Sequence, residues 1–112
     1  MDYKIETTSN FVKELKPLSK KYRSLKEDLQ VLNNSLQKNP LQGSPLGKNC
    51  YKIRLSISSK GKGKSGGARI ITYVKIAHQT VFLLSIFDKS AQENISDKRL
   101  AEILKVAATK IQ

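Results

Sequence analysis

Apolar residues in the first third of the chain recur at the spacing of an α-helix. After a short alternating segment at residues 3–7, which predicts a strand, they stand four and three positions apart. Because Pro17 lacks an N–H and clashes with the preceding turn, the pattern predicts two helices, at residues 9–19 and 23–38. These helices should form a hairpin that lays one apolar stripe on a sheet. A coiled-coil dimer is the alternative, but its seam would be short and interrupted.

The second half of the chain alternates apolar and polar residues with the period of a strand. Residues 50–57 form the first such segment, on which Lys52 and Arg54 point away from the apolar face. Residues 68–76 and 80–87 are predicted to be two more strands. The last of them is apolar on both faces, as a central strand should be.

The remaining segments complete the order of elements. Residues 38–49 hold two prolines and two glycines and are predicted to be a loop. Residues 96–112 have apolar positions at helical spacing behind Ser96, which suits a helix cap. The order β-α-α-β-β-β-α predicts one α+β domain over residues 1–112. It combines a small antiparallel sheet, an N-terminal helical hairpin and a C-terminal helix.

The charge of the chain points to a class of partner. The 112 residues carry 21 Lys and Arg against 9 Asp and Glu, a formal net charge of +12. No carboxylate occurs between Leu29 and Phe87. The cations in that interval are Lys38, Lys48, Lys52, Arg54, Lys60, Lys62, Lys64, Arg69 and Lys75. Any one of them could simply be a hydrated surface residue that keeps the protein soluble, but together they predict a face that binds nucleic-acid phosphates.

Several kinds of site are disfavoured by the residues present. The tripeptide "GKS" at residues 63–65 ends like a P-loop, but Ser58 stands where the first glycine is needed and a strand follows. One histidine and one cysteine are too few ligands for a metal centre. We expect His78 to be a surface turn residue and Cys50 to be a small core residue, rather than a catalytic pair.

The chain also lacks the signals of a membrane or secreted protein. The N-terminal segment has no apolar stretch of the kind found in secretory signals. The longest apolar run, residues 81–87, is too short to span a bilayer. A single cysteine suits a reducing compartment. We therefore expect a soluble cytoplasmic protein without a membrane partner.

The segment "SKGKGKSGGARI" at residues 59–70 joins two predicted strands. Glycines at positions 61, 63, 66 and 67 suit the tip of a β-hairpin. The lysines between them should stand out into solvent and contact an extended polyanion. We predict that RNA is bound by Lys48, Lys60, Lys62, Lys64 and Lys75.

Four cations are candidates for chemistry rather than docking. Lys52 and Arg54 project to one side of their strand, Arg69 enters the neighbouring strand, and Lys89 follows the last one. A lysine among other cations gives up its proton more readily, which suits a general base. Arginine suits the negative charge that develops when RNA is cleaved by its own 2′-OH. The alternative is that the same side chains only grip phosphates.

At this point the sequence resembles toxins of the RelE/ParE superfamily, of the HigB-like branch, over nearly the whole chain. The resemblance includes "VFLLSIFDKS" at residues 81–90, and its most specific segments are "YKIRL" at 51–55 and "GKGKSGGARI" at 61–70. The resemblance implies a toxin of a bacterial type II toxin–antitoxin pair that cleaves mRNA in the ribosomal A site. It implies mRNA on the ribosome and a cognate antitoxin as partners, and no metal or small-molecule cofactor. It places the catalytic cations at Lys52, Arg54, Arg69 and Lys89.

One departure from this family keeps other functions open. RelE-type toxins carry a tyrosine near the final helix that stacks on the mRNA base, and this sequence has none after Tyr73. The stacking platform must therefore lie elsewhere or be missing. One alternative is a ParE-like toxin that poisons DNA gyrase, although ParE-like members generally lack the cations at positions 52, 54 and 69. The other is a non-catalytic module that binds nucleic acid or an antitoxin.

Overall fold

A computed structural model of the protein describes residues 2–61 and 66–110. The chain forms five strands and three helices within these ranges. In chain order the elements are β1 (Lys4–Thr7), α1 (Ser9–Lys21), α2 (Leu25–Lys38), β2 (Ser44–Gly47), β3 (Cys50–Leu55), β4 (Ala68–Lys75), β5 (Thr80–Asp88) and α3 (Asp97–Lys110). Of the described helices, none has the length and apolar content to cross a membrane.

The strands form one mixed sheet in the order β1-β5-β4-β3-β2. The α+β prediction is confirmed, with two corrections. β1 pairs in parallel with β5, whereas the other pairs are antiparallel. The segment predicted to be a loop contains β2, an edge strand. Pro45 is tolerated there because an edge strand need not donate on its outer side.

The helical hairpin is present, but its break does not lie at Pro17. α1 runs through Pro17 to Lys21, and the break falls at residues 22–24. Pro17 and Lys13, whose carbonyl loses its helical partner, are both exposed. Water can therefore satisfy that carbonyl, which lowers the cost of the proline. Thr8 caps the N-terminus of this helix, because its hydroxyl accepts a hydrogen bond from the Phe11 N–H at 3.3 Å.

Apolar side chains cover both faces of the sheet. On one face, α1 and α2 pack on Ile53, Leu55, Ile70, Val74 and Leu83. On the other face, α3 packs on Ile71, Phe82, Leu84 and Phe87. These contacts confirm that the last strand is central and that the C-terminal helix is amphipathic. The Ser96 cap is also present, since its hydroxyl accepts from the Arg99 N–H at 3.1 Å.

The connection between β3 and β4 is longer than the predicted hairpin tip. Residues Ser58–Lys60 form a 3₁₀ turn that ends at Gly61, with φ of 71°. This turn is fastened to the start of α2, because the Ser58 hydroxyl donates to Asp28 at 2.6 Å. Burial raises the pKa of Asp28, but hydrogen bonds from Ser58 and Ser24 outweigh it and lower the pKa below its usual value. The turn that follows β3 is therefore attached to α2 by hydrogen bonds.

Candidate functional site

The strand register gathers the predicted catalytic cations on the sheet face that carries α3. Arg54 lies directly opposite Arg69, which in turn lies opposite Phe87. Phe87 packs in the cluster beneath α3, and paired residues of antiparallel strands share a face. Lys52, two positions before Arg54, points the same way and donates to Asn94 Oδ1 at 3.2 Å. The predicted common face of these cations is therefore present.

Arg54 and Arg69 form a pair of like charges across two strands. Arg69 is only 3% exposed, whereas Arg54 is exposed. Burial lowers the pKa of Arg69, and the nearby Arg54 charge lowers it further. The Arg69 guanidinium nevertheless remains protonated, as arginine does in proteins. Like charges directly opposite each other are unfavourable, and an anion bound between them removes that cost.

A hydrogen bond holds the Arg69 guanidinium in place. Its Nη1 donates to the carbonyl oxygen of Ala68 at 3.1 Å. The guanidinium is a rigid planar fork, a shape that matches two oxygens of one phosphate. The Arg54–Arg69 pair is therefore suited to holding a phosphate group.

Lys89 lies at the end of the same strands. Its backbone N–H donates to the Gly67 carbonyl at 3.0 Å, which sets it beside the start of β4. A side chain at Gly67 would not fit, because a Cβ there would lie 1.9 Å from the Leu55 carbonyl oxygen. The backbone bond between Lys89 and Gly67 places Lys89 opposite a residue two positions before Arg69, alongside the start of β4 as predicted from the order of strands.

Glu93 is a site residue that the sequence reasoning missed. Its carboxylate lies 3.6 Å from Lys89 Nζ, and its charge opposes the lowering of the Arg69 pKa. The strands lack acids between Leu29 and Phe87, but the segment after β5 brings one back to the cations. The four-residue spacing of Lys89 and Glu93 was the available signal. The carboxylate is 85% exposed and can move away when an anion binds.

Replacing Glu93 with glutamine should tighten RNA binding modestly. The exposed pair with Lys89 is worth at most about 1 kcal/mol, so the dissociation constant should fall by about two- to fivefold. Fluorescence anisotropy with single-stranded RNA at low salt measures this change. The matched control is Glu27→Gln, which removes the same charge from an exposed position on α2. Unchanged or weaker binding by Glu93→Gln would show that Glu93 does not compete for the phosphate site.

Lys60 does not stand out into solvent, so that prediction is wrong. Its side chain is 10% exposed, and Nζ lies 3.0 Å from Asp88 Oδ1. The same ammonium lies 5.1 Å above the Tyr22 ring. A lysine held in this way is an internal ion-pair partner rather than a docking contact. Lys62 and Lys64 fall outside the described residues.

Asp88 ties three segments together behind the cationic face. It accepts hydrogen bonds from the Tyr22 hydroxyl and from the Ser90 hydroxyl, the latter at 2.7 Å. Burial raises the pKa of Asp88, but the bonds from Tyr22, Ser90 and Lys60 outweigh it and hold the pKa well below its usual range. The carboxylate thus joins the end of α1, the 3₁₀ turn and the segment that carries Lys89.

The other predicted docking lysines lie at the far end of the sheet. Lys48 is exposed in the turn between β2 and β3, and Lys75 is partly buried at the end of β4. They line a common groove, together with Tyr73 and the α3 residues Leu104 and Ala108. The structure therefore separates Lys48 and Lys75 from the Arg54–Arg69 pair.

The remaining candidates for chemistry are where the sequence predicted them. Cys50 is buried, and its burial raises the thiol pKa to about 11. His78 lies exposed in the turn at Ile76–His78. In the described part of the chain, no group of three or more His, Cys, Asp and Glu could hold a metal ion.

Comparison with known proteins gives matches over most or all of the chain. Residues 4–112 match the family described as the RelE toxin of the RelE/RelB toxin–antitoxin system. A variant of the E. coli toxin RelE in the free state has a TM-score of 0.60 at 22% identity, over 100% of both chains. The M. tuberculosis toxin–antitoxin complex RelBE2 gives a TM-score of 0.60 at 21% identity, over 79% of this chain and 92% of the matched one. An E. coli RelE variant bound to an antitoxin RelBc peptide gives 0.51 at 22% identity, over 91% and 94%. At such identities the structural likeness bears on the fold.

Proposed function

The chain belongs to the RelE toxin family of the RelE/RelB toxin–antitoxin system, and on that premise we propose that it cleaves mRNA on the ribosome. The observation that carries this proposal is the Arg54–Arg69 pair, with Lys52 on the same sheet face and Lys89 directly after the adjoining strand β5. Four cations around one position are suited to a phosphate that gains charge during a reaction. Cleavage of mRNA during translation would stop protein synthesis.

The reaction would be an internal displacement at phosphorus. The ribose 2′-oxygen attacks the adjacent phosphorus and loses its proton, while the bond from phosphorus to the 5′-oxygen breaks. The products are a 2′,3′-cyclic phosphate and a 5′-hydroxyl, which takes up a proton. Arg69 and Arg54 would stabilise the additional negative charge on the phosphate oxygens. Lys52 would orient or activate the 2′-OH, and Lys89 would support the leaving oxygen.

The ribosome is expected to be necessary for the reaction. The described site is rich in groups that bind phosphate and poor in groups that accept a proton, with Glu93 exposed at its edge. Such a site gains most from a partner that holds the mRNA in line for attack. We therefore expect the isolated protein not to cut free RNA.

An antitoxin protein is the second proposed partner. The family is defined by a toxin–antitoxin system, and two of the matched structures contain an antitoxin or a part of one. A toxin of this kind must be held inactive while the cell grows. We propose that a cognate antitoxin binds this chain and blocks its access to RNA.

Induction in a bacterium tests the proposed activity. Wild-type protein should arrest growth and produce new 5′ ends within translated regions, which primer extension on an abundant transcript detects. Arg69→Ala should permit growth and leave the transcript intact. Lys26→Gln removes one charge from an exposed position on α2 and should behave like the wild type.

The same experiment separates the alternative functions. Growth arrest with intact mRNA and a DNA-damage response would contradict the proposal and favour a gyrase poison. Growth without arrest and without cleavage would favour a non-catalytic binding module.

A further inference from the structure

An asparagine from the segment after β5 reaches a cation of β3. Lys52 Nζ donates to Asn94 Oδ1 at 3.2 Å, and the two residues are 42 positions apart in the sequence. Because β4 lies between β3 and β5 in the sheet, the segment that follows β5 must turn back across a strand to make this contact. The proposed cleavage steps give the contact no role.

The orientation of the Asn94 amide is determined by its neighbours. The Ile95 N–H lies 3.0 Å from Asn94 Oδ1. Because a main-chain N–H can only donate, the atom that it faces is the amide oxygen and not the amide nitrogen. The main chain is held as well, since the Asn94 carbonyl oxygen accepts from Gln92 Nε2 at 2.9 Å. Asn94 therefore presents a neutral acceptor to Lys52 from a fixed position.

The segment that carries Asn94 is attached to the rest of the domain at both ends. At its start, the Ser90 N–H donates to Asp88 Oδ1 at 3.0 Å. At its end, Ile95 packs against the apolar cluster beneath α3, and the Ser96 hydroxyl caps that helix. An acceptor held in this way can fix a flexible side chain, because its own position does not have to be found first.

We propose that Asn94 is a positioning residue for Lys52, which it holds through a neutral acceptor on the face of the Arg54–Arg69 pair. This role rests on the proposed function, in which Lys52 acts on the 2′-OH. A free lysine side chain occupies many rotamers, and a partner that selects one of them removes that freedom before the RNA arrives. The bond to Asn94 uses one N–H of the lysine, and the others remain for the RNA.

The charge of the acceptor matters as much as its position. In the same segment, the Glu93 carboxylate lies 3.6 Å from Lys89 Nζ. A carboxylate at position 94 would keep the proton on Lys52 and would compete with the phosphate for its charge. An amide fixes the side chain without either effect. The charged groups that accompany Lys52 are Arg54 on β3, Arg69 on β4, and Lys89 and Glu93 after β5.

A double-mutant cycle tests whether Asn94 acts through Lys52. The single-turnover rate of cleavage of ribosome-bound mRNA should fall by about tenfold in Asn94→Ala, because Lys52 regains its rotamers. Lys52→Met should slow cleavage by about a hundredfold or more, and adding Asn94→Ala to it should cause no further loss. The matched control is Asn34→Ala, which removes an exposed asparagine that accepts from Gln30 at 3.1 Å. It should leave the rate within about twofold of the wild type.

A second variant, Asn94→Asp, tests the charge of the acceptor and keeps the test decisive if Asn94→Ala impairs folding. Aspartate has the shape of asparagine and can accept the same bonds from Ile95 and Lys52. Its carboxylate keeps the proton on Lys52, so the rise of the cleavage rate with pH should move to higher pH by about half a unit. Asn94→Ala should lower the rate without moving the rise. Asn34→Asp adds the same charge on α2 and should not move it either.

The order of the Lys52 ammonium group can be measured in the free protein, without any cleavage. Nitrogen-15 NMR relaxation of the lysine side chains reports this order. The order parameter of Lys52 should fall in Asn94→Ala and should be retained in Asn94→Asp. Equal order of Lys52 in the wild type and in folded Asn94→Ala would overturn the positioning role, whatever the rate of cleavage.

The cleavage results separate this role from the proposed function. If the wild type cleaves ribosome-bound mRNA and Asn94→Ala cleaves it as fast, the positioning role alone is wrong. The same holds if the loss caused by Asn94→Ala is undiminished in Lys52→Met, or if the pH profile of Asn94→Asp matches that of the wild type. A wild type that does not cleave the mRNA overturns the proposed function, and NMR then still decides whether Asn94 orders Lys52.

Discussion

Replacing Arg69 with lysine should slow mRNA cleavage on ribosomes by about 10²–10³-fold. Arg69 is buried, lies opposite Arg54 and is held by its hydrogen bond to the Ala68 carbonyl. Lysine keeps the charge but presents a point charge in place of a planar fork, so it cannot address two phosphate oxygens in the same way. The rate constant of a single-turnover reaction, with the protein in excess over programmed ribosomes, measures this loss directly.

A matched substitution shows whether the slower cleavage is specific to position 69 or follows from any change of arginine to lysine. Arg23→Lys makes the same change at an exposed position before α2 and should leave the rate within about twofold of the wild type. Thermal unfolding of Arg69→Lys shows whether the protein still folds with a lysine at this buried position. If folded Arg69→Lys retains more than about a tenth of the wild-type rate, Arg69 does not stabilise the transition state in the way proposed.

Replacing Asp88 with asparagine should lower the free energy of unfolding by about 3 kcal/mol. The substitution preserves shape but leaves the Lys60 ammonium, 10% exposed, without its carboxylate partner. It also weakens the acceptor for the Tyr22 hydroxyl. For a domain of this size the melting temperature should fall by roughly 10 °C or more. Urea unfolding and thermal unfolding at neutral pH measure the two quantities.

Asp2 provides a control for the Asp88 substitution at the same ion-pair distance. Asp2 lies 3.0 Å from Lys38 Nζ, but the side chains are 51% and 75% exposed. Asp2→Asn should therefore change the free energy of unfolding by less than about 1 kcal/mol. Similar effects of Asp2→Asn and Asp88→Asn would mean that burial of the Lys60–Asp88 pair does not contribute as argued.

The Asp88 carboxylate should also make stability depend on pH in the acid range. Its pKa is lower in the folded protein than in the unfolded chain, where an aspartate has a pKa of about 3.9. Its contribution is therefore complete above the unfolded pKa and is lost as pH falls through about 4 toward the folded value. The wild type should lose stability steeply there, and Asp88→Asn should lose less. Parallel slopes for the two proteins below pH 4 would contradict this assignment.

Periodicity predicted the elements of this fold better than their boundaries or partners. The leucines of α2 and the Ser96 cap gave correct helices, because these signals are local. The helix break predicted at Pro17 was wrong. The effect of a proline depends on whether the carbonyl that it leaves without a partner faces water, and the sequence pattern does not show this. The parallel pairing of β1 with β5 brings together residues that are 76 positions apart, as with Lys4 and Thr80. No local signal specifies such a pair.

The site shows the same division between local and long-range signals. Alternation along β3 placed Lys52 and Arg54 on one face, and the antiparallel meander brought Arg69 beside them. Lys60 was misjudged because its partner Asp88 lies 28 positions away in the sequence. In each case, side chains separated in the sequence met only through the packing of the sheet.

Cleavage of one labelled mRNA, free in solution and bound in programmed ribosomes, tests the central claim most directly. Purified wild-type protein should cut the ribosome-bound mRNA within the A site and leave free mRNA intact. Arg69→Lys should cut the ribosome-bound mRNA far more slowly than the wild type and should also leave free mRNA intact. The products should carry a 2′,3′-cyclic phosphate and a 5′-hydroxyl. Intact mRNA on the ribosome, in a preparation that instead inhibits DNA gyrase, would contradict the account. Cutting of free and ribosome-bound mRNA at equal rates would contradict the role given to the ribosome.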